Sequence, residues 1–184
     1  MSIYLGFDPG GDGRFGWAVV QESAPGALPL AVLATDCASS AKTALQSALD
    51  EVPPDESILA VGIDAPLVWS RGEGREVDNL LRRQIREKGC TAAGGTVQHV
   101  NSLRGGCVAQ GMMTALLLRE MDAGLPLSES HPKAWLWLAG VATREKTADC
   151  TTDITGFDLG AWLVFQKEVE SEDERDAAIA SSPW

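Results

Sequence analysis

Ile3-Tyr4-Leu5-Gly6-Phe7-Asp8-Pro9-Gly10-Gly11-Asp12-Gly13 begins as an apolar run and stops at an acid followed by a cluster of turn residues. A short apolar run bounded by Pro, Gly and Asp reads as a buried strand. Gly16-Trp17-Ala18-Val19-Val20 reads as its return partner, which makes the pair a β-hairpin with a glycine-rich loop. Ile58 to Ile63 repeats the opening pattern and also ends in an acid near a proline, Asp64-Ala65-Pro66. Two buried strands that each end in a carboxylate are the basis of the fold reading.

Working outward, Leu30 to Thr35 is a third strand. Ala41, Ala44, Leu45, Ala48 and Leu49 share one face of a helix that Pro53-Pro54 ends. The second half is mostly helical. Val77, Leu80, Leu81 and Ile85 mark one helix, with Gly89 as its stop. A second helix runs from about Cys107 to Asp122 with a stripe of Ala109, Met112, Met113 and Leu116. Leu127 to Ser130 is a short strand leading into a helix with Pro132 at its first position. Ala161, Trp162, Phe165 and Val169 predict a further helix, and Ser171 to Ala180 a last one. The order β-β-β-α-β, then helices around one more strand, predicts a single α/β domain over residues 1–184.

Composition agrees with a folded domain: 184 residues, 45% hydrophobic and 22% charged. No apolar run approaches the ~20 residues of a membrane span, so no membrane partner is expected. The N-terminus has no basic region of a signal peptide, and Cys37, Cys90, Cys107 and Cys150 are scattered without a C-x-x-C. Both features suit a reduced, cytoplasmic protein. With 26 acids against 15 bases, the formal charge is −11. That is opposite to the basic surface of proteins that hold nucleic acid through its phosphates. Charge alone favours a small-molecule enzyme or an interaction module.

The acids at the strand ends carry the chemistry. If the first and fourth strands are neighbours, Asp8 and Asp64 sit side by side, because paired strands lie ~4.8 Å apart. Ligands of open α/β sheets gather at those carboxyl ends. Two adjacent carboxylates repel each other unless a cation or a shared proton relieves them, and a hard, oxygen-seeking cation such as Mg²⁺ suits the pair. Taken singly, each Asp is equally well explained as an Asx-turn residue. Glu129, in Ser128-Glu129-Ser130-His131-Pro132, is a third candidate at a strand end; a solvated loop acid or a partner for the helix dipole explains it as well. In Ser171-Glu172-Asp173-Glu174-Arg175-Asp176-Ala177-Ala178, Ser171 and Glu174 form a capping box. That leaves Asp173 and Asp176 on one helix face, with Asp176 the stronger functional candidate and Asp173 evenly divided.

Five segments, in this order, carry a family resemblance: Gly6-Phe7-Asp8-Pro9-Gly10, Gly62-Ile63-Asp64-Ala65-Pro66-Leu67, Arg75-Glu76-Val77-Asp78, Glu129-Ser130-His131-Pro132 and Asp173-Glu174-Arg175-Asp176-Ala177. The chain resembles the RNase H-like superfamily and its RuvC-type resolvase branch. More closely, it resembles a bacterial and archaeal family of proteins described as predicted RNase H-like nucleases. The resemblance implies a three-layer fold with a mixed five-stranded sheet of order 3-2-1-4-5 flanked by helices. It also implies a nuclease that hydrolyses phosphodiester bonds with two carboxylate-held ions, Mg²⁺ or Mn²⁺. Nucleic acid is then the partner. Asp8, Asp64 and Asp176 become metal ligands, with Glu129 or Asp173 as a fourth, and Asp8, Asp64, Glu129 and Asp176 the catalytic set. The resolvase branch carries Glu where Asp64 stands.

Bases near such a site would stabilise phosphate charge. From Arg71 to Arg104 there are seven bases against four acids, although ordinary i, i+4 pairs on a solvated helix explain much of that surplus. Arg14, Arg71, Arg75 and Arg104 are the candidate substrate contacts. The competing expectation, which the acidic composition favours, is an RNase H-like module that has lost turnover and serves interaction or regulation. A nucleotide-phosphate enzyme of the actin and sugar-kinase type ranks last, because 184 residues leave no room for the usual two copies of the domain.

Overall fold

The computed structural model describes residues 1–10, 14–68, 74–99, 105–142 and 157–182. Chain order is β1 (Ser2–Pro9), β2 (Phe15–Glu22), β3 (Leu30–Ala38), α1 (Ala41–Asp50), β4 (Ser57–Ile63), α2 (Glu76–Glu87), α3 (Ala93–Thr96), α4 (Gly105–Met121), β5 (Leu127–Glu129), α5 (Pro132–Leu138), β6 (Leu163–Phe165) and α6 (Glu172–Ala180). One six-stranded sheet has the order β5-β4-β1-β2-β3-β6. β1 and β2 are antiparallel, as are β2 and β3; β1–β4, β4–β5 and β3–β6 are parallel. The expected order 3-2-1-4-5 lies within this sheet, which is mixed and flanked by helices as expected. β6 extends it beyond β3.

β6 corrects the helix expected around Ala161 to Val169. The edge of β3 offers unpaired backbone groups, and the short apolar segment takes them. Leu30 N–H donates to Trp162 O at 2.8 Å and Gln166 N–H to Val32 O at 3.3 Å. The Leu163 side chain is buried.

Strand alternation sorts side chains into two cores. Ile3, Leu5 and Phe7 of β1, Phe15, Trp17 and Val19 of β2, and Val61 and Ile63 of β4 pack against Ala41, Ala44, Leu45 and Ala48 of α1 and Leu118 of α4. On the other face, Ala18, Val20 and Val32 meet Ile85 of α2, Leu136 and Trp137 of α5, and Ala177, Ala178 and Ile179 of α6. The stripe Ala109, Met112, Met113 and Leu116 of α4 faces solvent, with Leu116 61% exposed. α4 is apolar nearly all round, so periodicity could not pick its inner face. Small residues decide it: Gly111, at the Ala65 methyl, and Thr114 are buried with Leu118.

Gly89 has a φ of 100°, the left-handed conformation expected of a helix stop. Cys37 and Cys107 are not disulfide-bonded. Cys90 is, which corrects the expectation of a fully reduced set. No helix among the described residues is long and apolar enough to cross a membrane.

The packing of α6 positions everything that follows. Gly6, Gly16 and Gly62, on three adjacent strands, face α6. A methyl group at Gly6 would overlap the Ala177 carbonyl oxygen, one at Gly16 that of Asp173, and one at Gly62 that of Ala180. The helix backbone therefore lies directly on the sheet backbone. Gly62→Ala is expected to lower the unfolding free energy by about 1–3 kcal/mol or more, as overpacking does. Urea denaturation checks this, and an unchanged midpoint would contradict the close approach.

Candidate metal centre

The glycines that seat α6 also explain the site. Side chains two residues apart on a strand share a face. Asp8 follows Gly6 by two and Asp64 follows Gly62 by two, so both acids emerge on the α6 side at the carboxyl ends of neighbouring strands. The Asp64 N–H donates to Phe7 O at 2.8 Å, continuing the β1–β4 ladder and fixing the pair side by side. On α6, residues 173, 176, 177 and 180 fall on the face toward the sheet, which brings Asp176 over the same point. The Ser171 hydroxyl accepts from Glu174 N–H at the helix start, as the capping box predicts.

Asp8, Asp64 and Asp176 each present an oxygen within 4.8 Å of the others, a group able to hold a metal ion. Asp176 is buried, and its Oδ1 has no hydrogen-bond partner. An orphaned buried carboxylate oxygen aimed into a cluster of acids fits a cation: all the donors are hard oxygens, the set that suits Mg²⁺ or Mn²⁺. Burial pushes the Asp8 carboxyl well above its ordinary value, and the charges of Asp64, Asp176 and Asp173 add to it. Asp176 is raised in the same way, by burial and then by Asp64. Asp64 is pushed up to about 7 by burial, against the opposing charge of Lys133.

Lys133 is the residue that the sequence reading passed over. It stands in the first turn of α5, its Nζ 2.6 Å from Glu172 Oε1, and its charge acts on Asp8, Asp64, Asp173 and Asp176. A lysine in a helix's first turn opposes the helix dipole. That misplacement after Pro132 was the available signal.

The other expected residues separate. Asp173 stands at the rim, where Arg14 Nε lies 3.7 Å from its Oδ2; Arg14 itself is largely exposed. Glu129 does not join the three aspartates. Its Oε1 accepts from Leu67 N–H at 2.6 Å and Val68 N–H at 3.1 Å, and both oxygens face Arg75 Nη1 at 2.7 and 2.5 Å. Arg75 is buried and also grips both oxygens of Asp78, at 2.9 and 2.6 Å. Arg75, expected as a substrate contact, has its guanidinium almost wholly buried and engaged by Asp78, Glu129 and Val68 O. The network ties the end of β5 and the start of α2 to the loop that follows Asp64. His131, next to it, is held below its usual value by burial. Arg71 and Arg104 lie outside the described residues.

The acids open into a cavity of about 280 Å³, which Gly95 and Thr96 of α3, Gln98 and Cys107 also line. No protein-family model and no curated protein matches the chain, so the closer family resemblance rests on the short segments alone. Among solved structures, the chain is similar to RuvC of Thermus thermophilus, at 18% identity over 97% of this chain and 90% of that one, with a TM-score of 0.44.

Two predictions follow from the contrast between the two acid groups. The ordinary aspartate value is near 3.9, so the folded metal-free protein binds more protons at this site than the unfolded chain does. The stability each raised carboxyl contributes is full below about pH 4 and is lost as pH rises through about 7 for Asp64. In EDTA, Asp64→Asn is expected to melt above the parent at pH 8, by about 2–4 °C for each kcal/mol of relieved repulsion. The difference should shrink toward zero near pH 5; equal melting at pH 8 would contradict it. Conversely, Arg75→Met leaves Asp78 and Glu129 without their cation and is expected to destabilise by about 3–5 kcal/mol, read by urea denaturation.

Proposed function

We propose that the chain is a divalent-metal-dependent hydrolase of phosphodiester bonds in nucleic acid. The observation that carries this reading is the convergence of Asp8, Asp64 and Asp176, from two strand ends and a helix distant in sequence, on one point with an orphaned buried oxygen. These three would hold Mg²⁺ or Mn²⁺, with Asp173 the rim acid nearest to serve as a fourth ligand. When bound, such ions activate a water, stabilise the departing oxygen and neutralise phosphate charge.

The chain's own groups do the rest. Asp8 and Asp64 are fixed by the β1–β4 ladder and Asp176 by the seating of α6, so the acids need no rearrangement to act together. Lys133 offers a positive charge at the edge of the acidic cluster. Glu129 and Arg75 hold the loop after Asp64. A proton on Asp64 competes with a metal ion, so affinity should fall as pH drops below about 7.

Asp8→Asn is expected to fold, to lose divalent-ion uptake in calorimetry, and to lose cleavage of DNA and RNA in Mn²⁺. A folded parent that takes up neither Mg²⁺ nor Mn²⁺ would sink the reading. The alternative, an interaction module without turnover, draws on the exposed apolar face of α4. Cleavage by the parent that disappears in Asp64→Ala would exclude it.

A further inference from the structure

We propose that the site takes a strand end or a short single-stranded oligonucleotide, anchored through one phosphate by Lys133, and not an internal bond of a duplex. This rests on the hydrolase reading above.

The cavity is the first support. At about 280 Å³ it stands near the lower limit of small-ligand pockets, the size of a single nucleotide unit rather than of a continuous backbone. Besides the acids, Gly95, Thr96, Gln98 and Cys107 line it.

Charge is the second support. A duplex carries one negative charge per ~1.7 Å of axis, and proteins that grip it contact about 6–10 phosphates. Lys133 is the only residue with a full positive charge among the described residues that line this cavity, in a chain of net charge −11. Among those described lining residues, one cation is available to hold one phosphate. Glu172 lies 2.6 Å from the ammonium, and both residues line the cavity together with the three aspartates. In the reaction, water adds across the ester bond nearest the end. Its oxygen bonds to phosphorus, a proton passes to the departing oxygen, and a phosphate monoester and a hydroxyl result.

The test compares a linear 20-nucleotide single strand, the same sequence closed into a circle, and its blunt duplex, all with Mn²⁺. The linear strand should be shortened at least tenfold faster than the other two are cut. Its log kcat/KM should fall against log salt with a slope near −0.7, the value for one phosphate on a single strand. Cleavage of the circle or duplex within tenfold of the linear strand, or a slope steeper than about −3, would overturn the proposal and leave the hydrolase reading standing. Cleavage of none of the three by protein that binds Mn²⁺ would overturn both. Lys133→Met should raise KM for the linear strand about tenfold and flatten the salt slope, with Lys133→Arg restoring both. An unchanged KM and slope in a folded Lys133→Met protein would remove the anchor.

Discussion

The rest of the structure depends on the contact between the backbone of α6 and that of three strands. A helix normally stands off a sheet by the length of its side chains; here Gly6, Gly16 and Gly62 let carbonyl oxygens of α6 occupy the space of a Cβ. Ala177, Ala178 and Ala180 fill the seam from the helix side. Close approach brings Asp176, whose side chain is short, down to the level of Asp8 and Asp64. The same alternation that turns Gly6 and Gly62 toward the helix turns Asp8 and Asp64 toward it two residues later.

Two neighbouring clusters of acids illustrate opposite solutions to buried negative charge. Asp78 and Glu129 share the Arg75 guanidinium, and Glu129 accepts two backbone N–H groups as well. Their charge is matched inside the protein, and the network stiffens the loop next to the site. Asp8, Asp64 and Asp176 share no such partner. Lys133 moderates their repulsion from the edge, yet all three carboxyls remain raised. A protein selected for stability alone would gain by replacing one of them. Like charges kept in a buried site are the usual mark of a function that needs them.

Glu129 and Asp176 were both candidate site acids in the sequence, yet the fold gives them different partners. Glu129 ends a strand and Asp176 lies inside a helix, and chain position says nothing about what faces either. Arg75 lies 54 residues from Glu129, and only the packing of α2 against α5, the helix after β5, makes them partners. Arg75 itself looked like a surface base because its two acids are remote or local in ways a pattern does not rank. The α4 stripe had a similar fate: an almost uniformly apolar helix gives periodicity nothing to read, and the fit of Gly111 against Ala65 chose the buried side. β6 formed because an open sheet edge was available to a short apolar segment, a circumstance outside that segment.

By itself the sequence determined the first hairpin and the placing of Asp8 and Asp64 at the carboxyl ends of two strands, because strand alternation and turn chemistry are local. It also marked the capping box that starts α6. The tertiary structure alone decided which acids meet, since convergence is a property of three elements packed together. It brought Asp176 in, tied Glu129 to Arg75, and set Lys133 beside a cluster from which it is separated in sequence by more than forty residues on one side and 69 on the other. The reason is range. Propensity and period act within a few residues, whereas the field and the packing at a site are summed over everything the fold brings near.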